Sequence, residues 1–221
     1  MRSMQSMEID KSGLSSLDPP VKESDCLLYS IKKAIARDMA SVIEVGGNGR
    51  IWIDPLAGQY WQEVSDPESF FATGSRLAKM ERCEVPAGRH SSGPLEELLW
   101  DAAFMGSKGR LFKGTQLDDL VELSWWPNLT RVAHFQSTFA LCAFLFSRPS
   151  TMHLALRALG VSEQEAVRFY NAGLVSGCVK ILRSRSEGFG HLKGVESGDA
   201  KSDGQARVPF WRRLFSKVSE L

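Results

Sequence analysis

Residues 150–182 read STMHLALRALGVSEQEAVRFYNAGLVSGCVKIL, and their spacing decides the fold. Ser150 stands where an N-cap would precede a helix over 152–159, since a serine hydroxyl accepts from the unpaired N–H groups of a first turn. Gly160 breaks that helix. Ser162 caps a second helix over 163–175, with Glu165 at the capping-box position. Leu154, Ala155, Leu159, Val161, Val167, Tyr170 and Leu174 fall where two such helices would touch. Gly177 then leads into Val179, Lys180, Ile181 and Leu182, a β-rich run placed like the first strand of a wing. The spacing predicts a winged helix, with a plain pair of packed helices as the alternative.

Upstream, an apolar helix is predicted over 135–146, ending before Pro149, and the adjacent Trp125 and Trp126 are expected to pack in the core rather than stand out as an anchor. The connector 106–122 has no clear period. Leu95, Leu98, Leu99, Ala102 and Ala103 form a helical stripe that begins after Pro94, a residue suited to a first helical position, and ends at Gly106. Before it the period is two. Val42, Ile43 and Val45 run into Gly46-Gly47-Asn48-Gly49, and Ile51, Trp52 and Ile53 run out, which predicts a hairpin because glycine and asparagine tolerate positive φ. A turn at 54–58 feeds a third strand through Gln59, Tyr60 and Trp61, a helical turn is expected over 66–71 and a further strand over 78–85. Residues 26–39 are amphipathic and read as a helix. The fold class is therefore α+β: a disordered leader over 1–24, a small β-meander domain with helices over 25–88, a winged-helix-like helical domain over 92–183, a flexible linker over 184–208 and an amphipathic helix over 209–221.

Composition bounds the chemistry. Of 221 residues 43% are hydrophobic and 24% charged, and 27 Lys and Arg against 26 Asp and Glu leave a net charge of +1, so no global field draws the chain to a polyanion. The first 23 residues hold no apolar run of a signal peptide, and 135–146 is far short of the roughly 20 residues a bilayer crossing needs. A cytoplasmic protein is expected. Cys26, Cys83, Cys142 and Cys178 lack metal-ligand spacing and read as small core residues. His90, His134, His153 and His191 are isolated and no nucleophile motif occurs, so the expectation is no catalytic residue, no metal and no cofactor. The glycine turn at 46–49 is followed by a strand, not by Gly-Lys-Ser and a helix, which argues against a phosphate loop.

The second helix of the predicted pair would be the recognition helix of a DNA reader. Its solvent side is expected to carry Glu163, Gln164 and Glu165, then Arg168 and Asn171, and 150–178 balances Arg157 and Arg168 against Glu163 and Glu165. Phosphate contacts supply much of the affinity of DNA readers, so glutamates at the leading end oppose binding. Glu163, Gln164, Arg168 and Asn171 are therefore expected to meet a protein partner, with DNA binding as the alternative. At the other end of the chain Phe210, Trp211, Leu214, Phe215 and Val218 recur at helical spacing, with Arg212, Arg213 and Lys217 opposite. That pattern suits docking on a partner, packing onto its own domain, or contact with an anionic membrane through the three cations.

Leu98-Leu99-Trp100, Ser107-Lys108-Gly109-Arg110-Leu111, Trp126-Pro127-Asn128-Leu129-Thr130-Arg131, Arg148-Pro149, Leu159-Gly160-Val161 and Phe169-Tyr170-Asn171-Ala172, together with the 46–61 hairpin, resemble a family of bacterial cytoplasmic proteins. That family is similar to the winged-helix regulatory modules that accompany roadblock-type proteins and small Ras-like GTPases in surface-motility signalling. The resemblance implies a cytoplasmic adaptor without enzymatic activity, whose partner is a small GTPase or a roadblock-type protein, and the C-terminal helix adds the expectation of peripheral contact at the inner membrane.

Overall fold

The computed structural model describes residues 19–85, 88 and 90–183 and is mixed α+β. Helix α1 (Leu28–Ile35) precedes strands β1 (Ser41–Val45), β2 (Gly49–Asp54) and β3 (Gln59–Val64). A short helix α2 (Pro67–Phe71) follows, then β4 (Ala78–Arg82), β5 (Gly93–Pro94) and the long helix α3 (Leu95–Gly106). Strand β6 (Leu120–Leu123), α4 (Ser137–Ser147), β7 (Ser150–Thr151), α5 (Met152–Leu159), α6 (Glu163–Ser176) and β8 (Val179–Arg183) complete the order.

The first sheet is antiparallel in the order β4-β1-β2-β3-β5. Alternation places Ile43, Val45, Ile51, Ile53 and Tyr60 inward, under α1 and α3, while Trp52 pairs with Trp61 on the outer face. The expected hairpin is present, and Gly49 is required at its exit: φ is +131°, and a Cβ there would lie 2.3 Å from the Glu63 carbonyl oxygen. Edge strand β4 alternates partly buried residues with charged ones, including a Lys79–Glu81 ion pair at 2.7 Å. Asp66 caps α2 by accepting from Ser69 N.

The second sheet has the order β7-β6-β8. The strand expected after Gly177 forms, but it pairs with β6, which precedes α4. Ser150 lies in β7, and the hydroxyl that caps α5 belongs to Thr151. Ser162 caps α6 as expected, and Gly160 and Gly177 both adopt left-handed conformations at helix ends. Leu154, expected between the helices, is instead exposed on α5, whereas Ala155, Val167 and Tyr170 are buried. Pro94 is the N-cap of α3 rather than its first residue and pairs with Gln59.

One core runs through both halves. It joins Ile31, Ile43 and Phe71 to Leu98, Trp100, Phe169 and Val175, residues on both sides of the boundary expected between 88 and 92. Order also begins earlier than Ser24: Val21 is buried, its N–H donates to Leu111 O at 2.8 Å, and its carbonyl accepts from Lys113 N at 3.0 Å. Helix α6 is the central element. From Ala166 to Ser176 only Arg168 and Leu174 are more than marginally exposed, and its glycine Gly173 lets β8 approach so closely that a Cβ would lie 2.5 Å from Val179 Cγ2. Cys26, Cys142 and Cys178 are buried free thiols and Cys83 is half-buried; burial pushes Cys26 up to about 11 and Cys142 and Cys178 to about 12. No helix among the described residues is long and apolar enough to cross a membrane. The expected linker over 184–208 and helix over 209–221 lie outside the described residues.

Asn171 is fully buried, against the expectation that it faces solvent. Its Oδ1 accepts from Phe112 N at 3.3 Å and its Nδ2 donates to Arg110 O at 2.8 Å, which fastens the 107–119 loop to α6. Asn171→Leu would leave a buried N–H and a buried carbonyl unpaired, and is expected to lower unfolding free energy by about 1–3 kcal/mol, read as a shift of the urea midpoint at unchanged slope.

Candidate functional site

The α6 residues predicted to meet a partner are mostly used inside the molecule. Arg168 donates from Nη2 to Glu68 Oε1 at 3.0 Å and lies over the rings of Phe104 and Phe135, 5.9 and 5.8 Å from their centroids. It thereby ties α6 to α2 and α3, a structural ion pair on a largely covered side chain. Gln164 packs across Gly109, whose positive φ and missing Cβ make the room. Only the first turn, with Glu163 half-exposed and Gln164 exposed, presents a surface. Phe210, Trp211, Arg212, Arg213, Leu214, Phe215, Lys217 and Val218 lie outside the described residues.

Exposed apolar surface collects elsewhere, on α4 and the loop before it. The helix carries no charge from Ser137 to Ser147, and it buries Thr138, Leu141, Cys142 and Leu145. That leaves Phe139, Ala140, Ala143 and Phe146 outward, a stripe at i, i+1, i+4 and i+7 with Phe139 53% and Phe146 59% exposed. The two alanines form a low floor between two aromatic ends. At one end Phe139 meets the edge of His134, 5.8 Å between centroids; at the other Phe146 makes an edge contact with Trp126 at 6.2 Å.

Trp125 and Trp126, expected in the core, are 38% and 43% exposed. They are held out because their loop is anchored on both sides of them. Ser124 N donates to Cys178 O at 2.7 Å, and Arg131 Nε reaches Glu97 Oε2 at 2.8 Å, with Asn128 Nδ2 on the other carboxylate oxygen at 3.4 Å. Further along, α3 grips Ala133 twice: Trp100 Nε1 donates to its carbonyl at 2.8 Å, and its N–H donates to Asp101 Oδ1 at 2.8 Å. Between this loop and α3 opens a cleft of about 340 Å³, walled by Trp100, Trp125, Trp126, Pro127 and Val132, with Glu96 and Glu97 along one side. Phe146 and Trp126 join the cleft to the α4 stripe, so the two make one surface.

The buried ionisable residue of α3 is Asp101, which holds the same loop at Ala133 and whose carboxyl is pushed up to about 6 by burial, against the lowering effect of the Ala133 N–H and with a smaller upward push from Glu97. Among the described residues no three His, Cys, Asp or Glu side chains stand together as metal ligands would. The site therefore has the materials for apolar docking: aromatic anchors, a small-residue floor, and one polar rim. No protein-family model, no curated protein and no solved structure matches this chain.

Sequence reading missed the surface, although one signal for it was present. A surface helix of a folded domain carries a polar face, and 137–147 has none.

Asp101 makes the fold pH-sensitive in a defined direction. Because its carboxyl holds a proton up to about pH 6 when folded and loses it lower when unfolded, unfolding releases a proton between about pH 4 and 6, and stability falls as pH rises through that window. Asp101→Asn keeps the acceptor for Ala133 N and removes the buried charge. Its stability relative to wild type is expected to be near zero difference at pH 4 and to climb to a plateau above pH 6, bounded by about 3 kcal/mol, in urea titrations across pH.

Proposed function

We propose that this protein is a non-enzymatic interaction module that receives an apolar helical segment of a protein partner on the outer face of α4, with the adjoining tryptophan cleft seating the partner's largest side chain. The reading is carried by the uncharged, outward stripe Phe139–Ala143–Phe146 and its continuation through Trp126 into the cleft. Apolar surface of that extent is disfavoured in water unless something covers it, and a helix laid in a groove covers it with regularly spaced anchors. The regulatory adaptor role expected from the sequence is retained, and its surface moves from α6 to α4. Helices α4, α5 and α6 with the second sheet form, in this reading, a winged-helix-like unit whose middle strand, β6, comes from before its first helix. The family resemblance supplies a class of partner, a small Ras-like GTPase or a roadblock-type protein, and a cytoplasmic setting, while the cations of 209–221 supply the peripheral inner-membrane one.

Reading of DNA is the second proposal, and the geometry of α6 favours it less. Past its first turn that helix has almost no free side to lay in a groove, and the first turn carries Glu163 and Glu165. Within Ser137–Ser147 α4 carries no cation to meet phosphate, and the one beside it, Arg148 at its C-terminal end, lies over the Phe144 ring at 5.5 Å.

The test uses Phe139→Glu and Phe146→Glu, each on an exposed position where folding should survive, checked by unchanged far-UV circular dichroism and melting temperature. Affinity purification from the native host is expected to recover a partner with wild type and to lose it, by more than about tenfold, with either variant. Equal recovery by all three would remove α4 from the mechanism. Submicromolar retention of a random DNA duplex at about 150 mM salt would favour the second reading.

A further inference from the structure

Residues 209–221 of the same chain carry apolar residues at helical spacing that would match the α4 surface, and the described chain ends within reach of the C-terminal end of α4. Leu120 of β6 pairs with Thr151 on one side and with Arg183 on the other, so Arg183 sits about two strand spacings, roughly 10 Å, from Thr151. Thr151 follows the last residue of α4, Ser147, by four positions, and Phe146 with its Trp126 contact lies at that same end of the helix. Twenty-five residues, 184–208, with five glycines and four serines, separate Arg183 from the apolar segment, and a flexible chain of that length would span a root-mean-square distance of about 25–30 Å. A segment tethered at that range competes for the face at an effective concentration of about millimolar, far above any free partner.

Length and charge agree. Thirteen helical residues extend about 20 Å, enough to cover the eleven residues of α4. Pro209 suits a first helical position, and Phe210, Trp211, Leu214, Phe215 and Val218 supply the anchors. Ala140 and Ala143 leave a low floor between Phe139 and Phe146 on which such side chains can rest. Glu96, half-buried on the cleft wall, has no ion-pair partner among the described residues and faces a segment that brings Arg212, Arg213 and Lys217.

We propose that residues 209–221 dock in cis on the α4 face and its tryptophan cleft, so that the chain occludes its own partner site until a partner displaces the segment. This rests on the reading of that face as the docking surface. Alone, a helix of this length is marginal in water, and docking would stabilise it.

Hydrogen exchange of 137–147 in the full chain, compared with the full-length double variant Leu214→Glu/Phe215→Glu, tests the contact. Exchange in wild type is expected to be about tenfold slower, independent of protein concentration, and a synthetic 209–221 peptide added to the double variant should restore the slow rate while the same peptide carrying both glutamates does not. The double variant should also capture the partner several-fold better than wild type. Equal exchange in both proteins overturns the proposal, as does protection that rises with concentration alongside a dimer mass, which would put a second copy on the face. Vesicles of anionic lipid that bind wild type through 209–221 while leaving exchange of 137–147 unchanged also overturn it. If Phe146→Glu abolishes partner capture in the double variant while exchange is equal, cis docking fails and the α4 reading stands; if capture persists, the α4 reading fails with it.

Discussion

A buried helix with polar side chains must find hydrogen-bond partners for them, and in this protein that demand on α6 organises the rest. Asn171 and Tyr170 stand side by side on a helix packed against α3, α4, α5 and β8. Neither reaches water, so each needs a partner from the chain. The 107–119 loop provides both: Arg110 O and Phe112 N close on the carboxamide, and Asp119 accepts from the tyrosine hydroxyl at 3.1 Å. With its two ends pinned, the loop offers its edge to Val21 and delivers Leu120 to the centre of the second sheet. The Val21 segment and the C-terminal helices are thus fastened to one loop by a buried carboxamide and a buried tyrosine–aspartate pair, while α3, packed on α6, carries the first sheet into the same core.

Locally encoded elements were legible in the sequence. The hairpin needed only glycines at its turn and alternating β-branched residues, and the cap of α6 needed only a Ser before a helical run, because these signals act within a few residues. What depended on distant chain was not legible. Leu120–Leu123 is four residues long, too short for its alternation to stand out, and its strand exists because β7 and β8 flank it. Asn171 and Arg168 are polar residues on a helix, and polarity alone assigns them to water; their partners lie about sixty and one hundred residues away in the chain.

The docking face shows the same limit from the opposite side. Tryptophan bulk argues for burial, yet Trp125 and Trp126 stand out because Ser124 and Arg131 are anchored on either side of them. The charge argument made for the exposed side of α6 keeps only its first turn, since the rest of that helix is interior. The surface most available for contact is instead centred on a helix, Ser137–Ser147, with no charge in it, which sequence reading registered only as an apolar helix.

The central position of α6 also bears on synthesis. Helix α3 displays Leu98, Leu99, Trp100 and Phe104 well before 163–176, which cover part of it, leave the ribosome. Until then the first sheet can close under α1 and α3, but the side of α3 that packs on α6 lacks its cover, and the nascent chain holds a sticky aromatic helix open to other chains. Folding of the whole therefore waits on a late segment, and the emerging polypeptide passes through an interval in which a holdase chaperone would find its best substrate.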